Sequence, residues 1–212
     1  MTTFITLAHQ KGGVGKTTVS LSLYAHFSRS GIKTTIVDAD PQGSMTDLLE
    51  LEGVKGIPVI RRKDFKTYDD LRAMTKGYDL VLIDTPPYHT KELREIFKLT
   101  RFLIMPCKPS LLDALAIRQT IKLVKTEMKE GSFLVGILMT MLIPGSTVHV
   151  ETVEYLKKAH GLPIFKSMIY NRVAFLKSLL LGGTVLDEDG GKAKGEIEAL
   201  AAEILERINK NT

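Results

Sequence analysis

A chain of 212 residues that is 44% hydrophobic, 25% charged and 7% aromatic has the composition of a folded globular protein, which excludes a disordered or low-complexity one. Its 29 basic and 24 acidic residues leave a net charge of +5, enough to permit a nucleic-acid or anionic-lipid partner without requiring either. The single cysteine, Cys107, excludes a disulfide framework and any cysteine-rich metal or iron–sulfur site within one chain. The longest apolar run, Phe133 to Ile143, is 11 residues, where a bilayer span needs about 20. The opening residues MTTFITLAHQ lack the basic start of a signal peptide, so a cytoplasmic address is expected.

Taken in chain order, short apolar runs alternate with helical patterns. Strands are predicted at Phe4–Ala8, Thr34–Val37, Leu80–Ile83, Phe102–Met105 and Phe133–Met139. Helices are predicted at Thr17–Ser28, Thr90–Leu99, Leu111–Met128 and Val148–His160. The stretch Gly53–Asp70 shows no regular period. A last helix carries one apolar stripe, Ile197, Leu200, Ala201, Ile204, Leu205 and Ile208, opposite a polar face with Glu196, Glu198, Glu203 and Glu206. This alternation predicts an α/β fold, a single domain over residues 1–212 with a mostly parallel sheet and helices on both faces.

Three sites in this order carry chemistry. The segment Lys11-Gly12-Gly13-Val14-Gly15-Lys16-Thr17-Thr18 joins the first strand to the first helix. Glycines let successive N–H groups turn inward on phosphate oxygens, and the helix start adds its positive end. Lys16 is placed to reach the β- and γ-phosphates, and the Thr17 hydroxyl to ligate Mg²⁺. Next, Asp38-Ala-Asp40-Pro-Gln-Gly43 ends the second strand, and carboxylates two residues apart point to the same side of an extended chain. Finally, Tyr78 to Pro87 is an apolar strand ending in Asp84, placed to accept from a water on that Mg²⁺.

Those residues, most specifically 9–18, 36–43 and 78–87, resemble the ParA/MinD superfamily of deviant Walker A ATPases. Within it, Met168 to Gly182 and Gly191 to Glu198 look closest to the short, ParF-like proteins that segregate plasmids. The resemblance implies that Lys11 crosses a dimer interface to the partner's phosphates. By it, Asp40 orients the attacking water and Asp38 helps hold the metal's water shell. Pro109, in a P-x-x-P-S-x-x-D stretch, and Asn171 are expected on the base side. Cations on and around the following helix are expected to face DNA. From Tyr155 to Val185 the chain has Lys157, Lys158, Lys166, Arg172 and Lys177 and no acid, while acids collect at Asp187, Glu188 and Asp189.

The expected function is an Mg²⁺-dependent ATPase for plasmid or chromosome partition. Its ATP-bound homodimer would bind DNA non-specifically, with polymers as a further state. A centromere-binding adaptor of ParB or ParG type would stimulate slow hydrolysis and release, placing the protein on the nucleoid. With the phosphate loop beginning at residue 11, no N-terminal DNA-binding extension is expected. The alternative is a MinD-like membrane-cycling ATPase, which needs a basic amphipathic helix; the acidic polar face of the last helix disfavours it. The single cysteine disfavours iron–sulfur carriers, and Lys11 with the Asp38–Gly43 turn disfavours a synthetase. None of the five histidines is read as a ligand or base.

Overall fold

A computed structural model describes residues 2–51, 56–87, 90–127, 133–180, 184–187 and 191–211. His89, Glu188, Asp189, the expected helix end at Met128 and the glycine at 182 lie outside the described residues. In chain order the elements are β1 (Thr3–Leu7), α1 (Lys16–Arg29), β2 (Thr34–Asp38), α2 (Ser44–Leu51) and β3 (Val59–Arg61). They continue with α3 (Tyr68–Met74), β4 (Leu80–Asp84), α4 (Thr90–Leu99), β5 (Phe102–Cys107) and α5 (Leu111–Glu127). The last are β6 (Leu134–Met139), α6 (Val148–His160), α7 (Val173–Leu180) and α8 (Lys192–Asn209).

The six strands form one parallel sheet in the order β3-β2-β4-β1-β5-β6. Near-continuous apolar strands suit it, because both faces are covered. The two-residue alternation of side chains divides each strand between them. Ile5, Leu7, Ile36, Leu80, Leu82, Phe102, Ile104 and Leu138 share one core with α1 and α8. Phe4, Val37, Val81 and Ile83 pack with Leu71, Ile96 and Leu99 on the other face. Leu103, Met105, Val135, Ile137 and Met139 pack there against α5 and α6.

The stripe of the last helix docks as its period predicts: Ile197, Leu200, Ala201 and Ile204 are buried. Leu205 is the exception, exposed on the rim of the stripe. At Gly136 the backbone needs the missing side chain, since a Cβ would sit 2.5 Å from the Phe165 ring. That ring is stacked on Phe102 and covered by the Arg207 guanidinium.

β3 and the start of α3 fall in the stretch where the sequence shows no period, and α2, which precedes it, was not predicted. β3 has three half-buried residues at the sheet edge, too few to display alternation. α3 had a readable start: the Thr67 hydroxyl accepts from the Asp70 amide while Asp70 accepts from the Thr67 amide.

Candidate nucleotide site

Parallel register sets the site. Asp38 and Asp84 are direct neighbours on β2 and β4, and Leu7 of β1 lies beside Asp84. All three strands thus end together, at the sheet edge where ligands bind in folds of this kind. The loop 8–15 leaves β1 at that edge and returns into α1. It turns on Gly13 and Gly15, whose φ of 68° and 91° lie in the left-handed region that glycine enters without strain. The Thr140 hydroxyl ties the loop to the end of β6 by donating 2.9 Å to the Val14 carbonyl.

Lys16 is buried at the floor of this loop. Among the described residues its ammonium donates only to the His9 and Lys11 carbonyls, at 3.3 and 3.4 Å. Burial lowers its pKa, with Asp84 and Asp40 opposing the shift. A weakly satisfied buried cation at the floor of a glycine loop favours an entering polyanion. His9 lies beneath it and is held neutral: burial first, then the Lys16 charge, bring its pKa down to about 4. Its Nδ1 accepts from the Lys11 amide at 2.9 Å. The chain sequence gives this buried histidine no distinguishing neighbour, so its place under the loop was not legible.

Thr17 donates to Asp84 Oδ2 at 2.6 Å, while Asp84 Oδ1 is buried with no hydrogen-bond partner among the described residues. Burial pushes the Asp84 carboxyl up to about 7, against the Thr17 hydrogen bond and the Lys16 charge, with Asp38 and Asp40 adding to the rise. An orphaned carboxylate oxygen beside a hydroxyl fits a hard cation, which takes one or two carboxylates and completes its shell with water and phosphate. Asp38 is fixed differently: it accepts from the Asp40 amide and from both the amide and hydroxyl of Thr46, each at 3.1 Å. Thr46 is the residue that sequence reasoning missed here, because α2 itself was not predicted. Asp40 is half-buried; its Oδ1 accepts from the Gln42 amide at 2.9 Å, and its Oδ2 has no hydrogen bond to a described residue.

Lys11 turns away from its own loop. Its ammonium lies 2.8 Å from Asp113 Oδ1 at the first turn of α5. Ser110 caps that turn by accepting from the Asp113 amide. Leu111 and Leu112 beside this pair are 62% and 74% exposed. On the other flank a hollow of about 140 Å³ is lined by Gly15, Thr18, Met141, Tyr170, Asn171 and Arg172, among others. Met141 stands at φ 54°, a conformation a non-glycine residue rarely adopts. Pro109 does not line this hollow; it lies in the turn before α5, on the Lys11 side.

The five cations expected to face DNA are spread over α6, α7 and the segment between them. Lys157 and Lys158 are exposed near the end of α6. The chain then passes through a bend at Lys166 to Tyr170, which bridges Leu142. Lys177 lies beyond that point, on a helix that also exposes Val173 and Leu176. Arg172 is half-buried and ion-paired with Glu196 at 2.6 Å. A stretch without acids in sequence is therefore supplied with them in space. Glu203 accepts from the Lys166 and Ser167 amides, and Glu196 from the Tyr170 amide.

A glycine loop over a buried lysine, with a threonine and two carboxylates at parallel strand ends, defines a phosphate-loop nucleotide-binding protein. Residues 5–185 match the family described as the CobQ/CobB/MinD/ParA nucleotide binding domain, and the chain belongs to that family. It is 28% identical over 241 aligned residues to the chromosome-partitioning ATPase Soj of Thermus thermophilus, covering 97% of this chain and 96% of Soj. It is 25% identical to the maintenance of carboxysome distribution protein A of Halothiobacillus neapolitanus, covering 95% of each chain. The fold matches Cyanothece McdA(D38A) in its ATP complex with a TM-score of 0.76 at 18% identity, over 96% of both chains. It also matches MinD of Pyrococcus horikoshii with Mg-ADP, at 0.73 and 20% identity over 96% of both.

Proposed function

We propose that this chain is a ParA-type ATPase that partitions DNA, with residues 1–212 acting as one ATPase domain. ATP with Mg²⁺ closes two copies face to face, the closed dimer holds DNA without sequence preference, and an adaptor that binds the centromere accelerates hydrolysis and release. The amides of Gly12 to Thr18 and the Lys16 ammonium bind the phosphates. Thr17 and Asp84 hold the Mg²⁺, which neutralises charge on the transferring phosphoryl group, and Asp38 braces its water shell. The hollow beside Asn171 takes the base. Lys11 serves the partner subunit's phosphates, and the exposed Leu111 and Leu112 beside it are covered on dimerisation.

The observation that carries the reading is Asp40. Its Oδ1 is tied to the backbone, which fixes the carboxylate, and its Oδ2 is left to hold a water at the strand edge. Phosphoryl transfer depends on such positioning, so Asp40→Ala should spare ATP binding and dimerisation while slowing turnover by about 10²–10⁴-fold. Single-turnover hydrolysis and the lifetime of the DNA-bound dimer test this together. Hydrolysis at the wild-type rate, or unchanged release from DNA, would refute the switch.

A MinD-like membrane cycle is the second reading. Among the described residues no helix is long and apolar enough to cross a membrane. The apolar stripe of α8 is packed against the α1 side of the sheet, where lipid cannot reach it. ATP-dependent sedimentation with anionic liposomes would nonetheless favour that cycle over the nucleoid location proposed here.

A further inference from the structure

A groove of about 730 Å³ runs between α5 and α6, away from the nucleotide site. Arg118, Lys122 and Lys125 line it from α5 at positions i, i+4 and i+7, all exposed. None of them is ion-paired with a described residue, and the nearest acids of α5 are engaged elsewhere, Asp113 by Lys11 and Glu127 by Arg94. Leu115 continues the same stripe toward the start of the helix and is 40% exposed, and Ile121 reaches the groove from the core side. Across from them stands His160, its ring edge-on to Tyr155 and its Nε2 buried with no hydrogen-bond partner among the described residues.

Three like charges on successive turns repel one another, and the row spans about 10 Å, close to the screening length at physiological salt. An anion of matching length relieves that repulsion. Duplex DNA supplies the charge but little apolar surface for Leu115 beside that row. A helix with carboxylates at i, i+4 and i+7 and a leucine one turn away matches the length, the sign and the apolar end together.

We propose that the α5–α6 groove docks an acidic amphipathic helix of a partner protein, its carboxylates on Arg118, Lys122 and Lys125 and its apolar side chain against Leu115. None of these residues belongs to the nucleotide site, so the proposal stands or falls separately from the ATPase reading.

The probe is a short fluorescein-labelled helical peptide with Glu at i, i+4 and i+7 and Leu one turn before, read by anisotropy against the full chain. The same peptide with Gln for Glu is the control. The acidic peptide should bind, and Arg118→Glu, Lys122→Glu and Lys125→Glu combined should weaken it by at least about tenfold, the expectation for several partly exposed charge pairs. Leu115→Ala should weaken it about threefold, and the His160 imidazole resonances should move on binding. If the triple variant does not fold, the single changes Arg118→Gln and Lys122→Gln supply the same reading at about threefold each. Equal binding of the Gln peptide, or full binding by the variants, overturns the proposal. So does loss of duplex DNA retention or of self-association in the variants with peptide affinity unchanged, since the groove would then serve DNA or a second copy.

Discussion

Lys11 is held by Asp113 in a pair whose lysine side chain is 40% exposed and whose aspartate is 7% exposed. Burial works to raise the Asp113 carboxyl, but hydrogen bonds from Lys11 and Ser110 outweigh it and hold the group below its ordinary range. A lysine that must serve another subunit's phosphates has to leave this carboxylate first. Asp113→Asn weakens the hold without removing the cap, so it should tighten ATP-dependent dimerisation by up to about fivefold, the worth of a partly exposed ion pair. Lys11→Ala should loosen dimerisation while ADP still binds the monomer. Light scattering with a non-hydrolysable ATP analogue measures both; dimers of wild-type stability in Lys11→Ala would show that Lys11 does not reach across the interface. The loop, Lys16, Thr17 and the two strand-end acids were legible because their spacing is local. Asp113 stood in view as part of a short motif, yet its link to Lys11 spans 102 residues and has no trace in spacing.

At the scale of elements, α8 does two jobs and the sequence displays one of them. Its period of apolar residues foretells the buried stripe. Its glutamates read as a solvated face, yet two of them hold the segment that carries Asn171. Glu203 accepts from the Lys166 and Ser167 amides, the Ser167 hydroxyl and Arg207. Burial acts to raise the Glu203 carboxyl, and these hydrogen bonds overcome it, so its folded pKa lies below the ordinary 4.5. A carboxylate depressed in the folded state adds stability that is full above its unfolded pKa and is lost as pH falls through the folded one. Glu203→Gln should therefore cost about 1–3 kcal/mol at pH 7, since bonds to a charged acceptor are removed. Chemical denaturation at descending pH checks the sign: the gap between wild type and variant should close below pH 4.5. A gap that does not depend on pH would mean packing, not charge, holds the segment. Of the other elements, the long strands and helices announce themselves by period. α2, α3 and β3 are too short to do so, and only the capping pair Thr67 and Asp70 offered a signal.

Across the whole molecule, the basic excess is scattered, so the DNA footprint proposed above would be one part of it. Lys166 opens the segment that α8 holds and Lys177 is on α7, whose Phe175 and Leu176 line the Asn171 hollow, whereas Lys157 and Lys158 lie near the end of α6. DNA affinity that depends on ATP needs a surface coupled to the nucleotide. Charge reversal at Lys166 and Lys177 should therefore weaken retention on DNA and lower the salt slope by about 0.9 for each DNA phosphate no longer neutralised. Reversal at Lys157 and Lys158 should change it little. The opposite ranking, read from filter binding across a salt series, would move the DNA surface to the end of α6.

The clasp between α8 and residues 166–172 also sets an order in time. Translation finishes the phosphate loop by residue 18, but Glu196 and Glu203 are made some 180 residues later. At about 5–20 residues per second, a nascent chain carries the Gly loop for roughly 10–35 s before α8 can add its glutamates to a segment that is also bonded to β6. The hollow proposed for the base therefore gains the α8 part of its support long after the phosphate loop has been made.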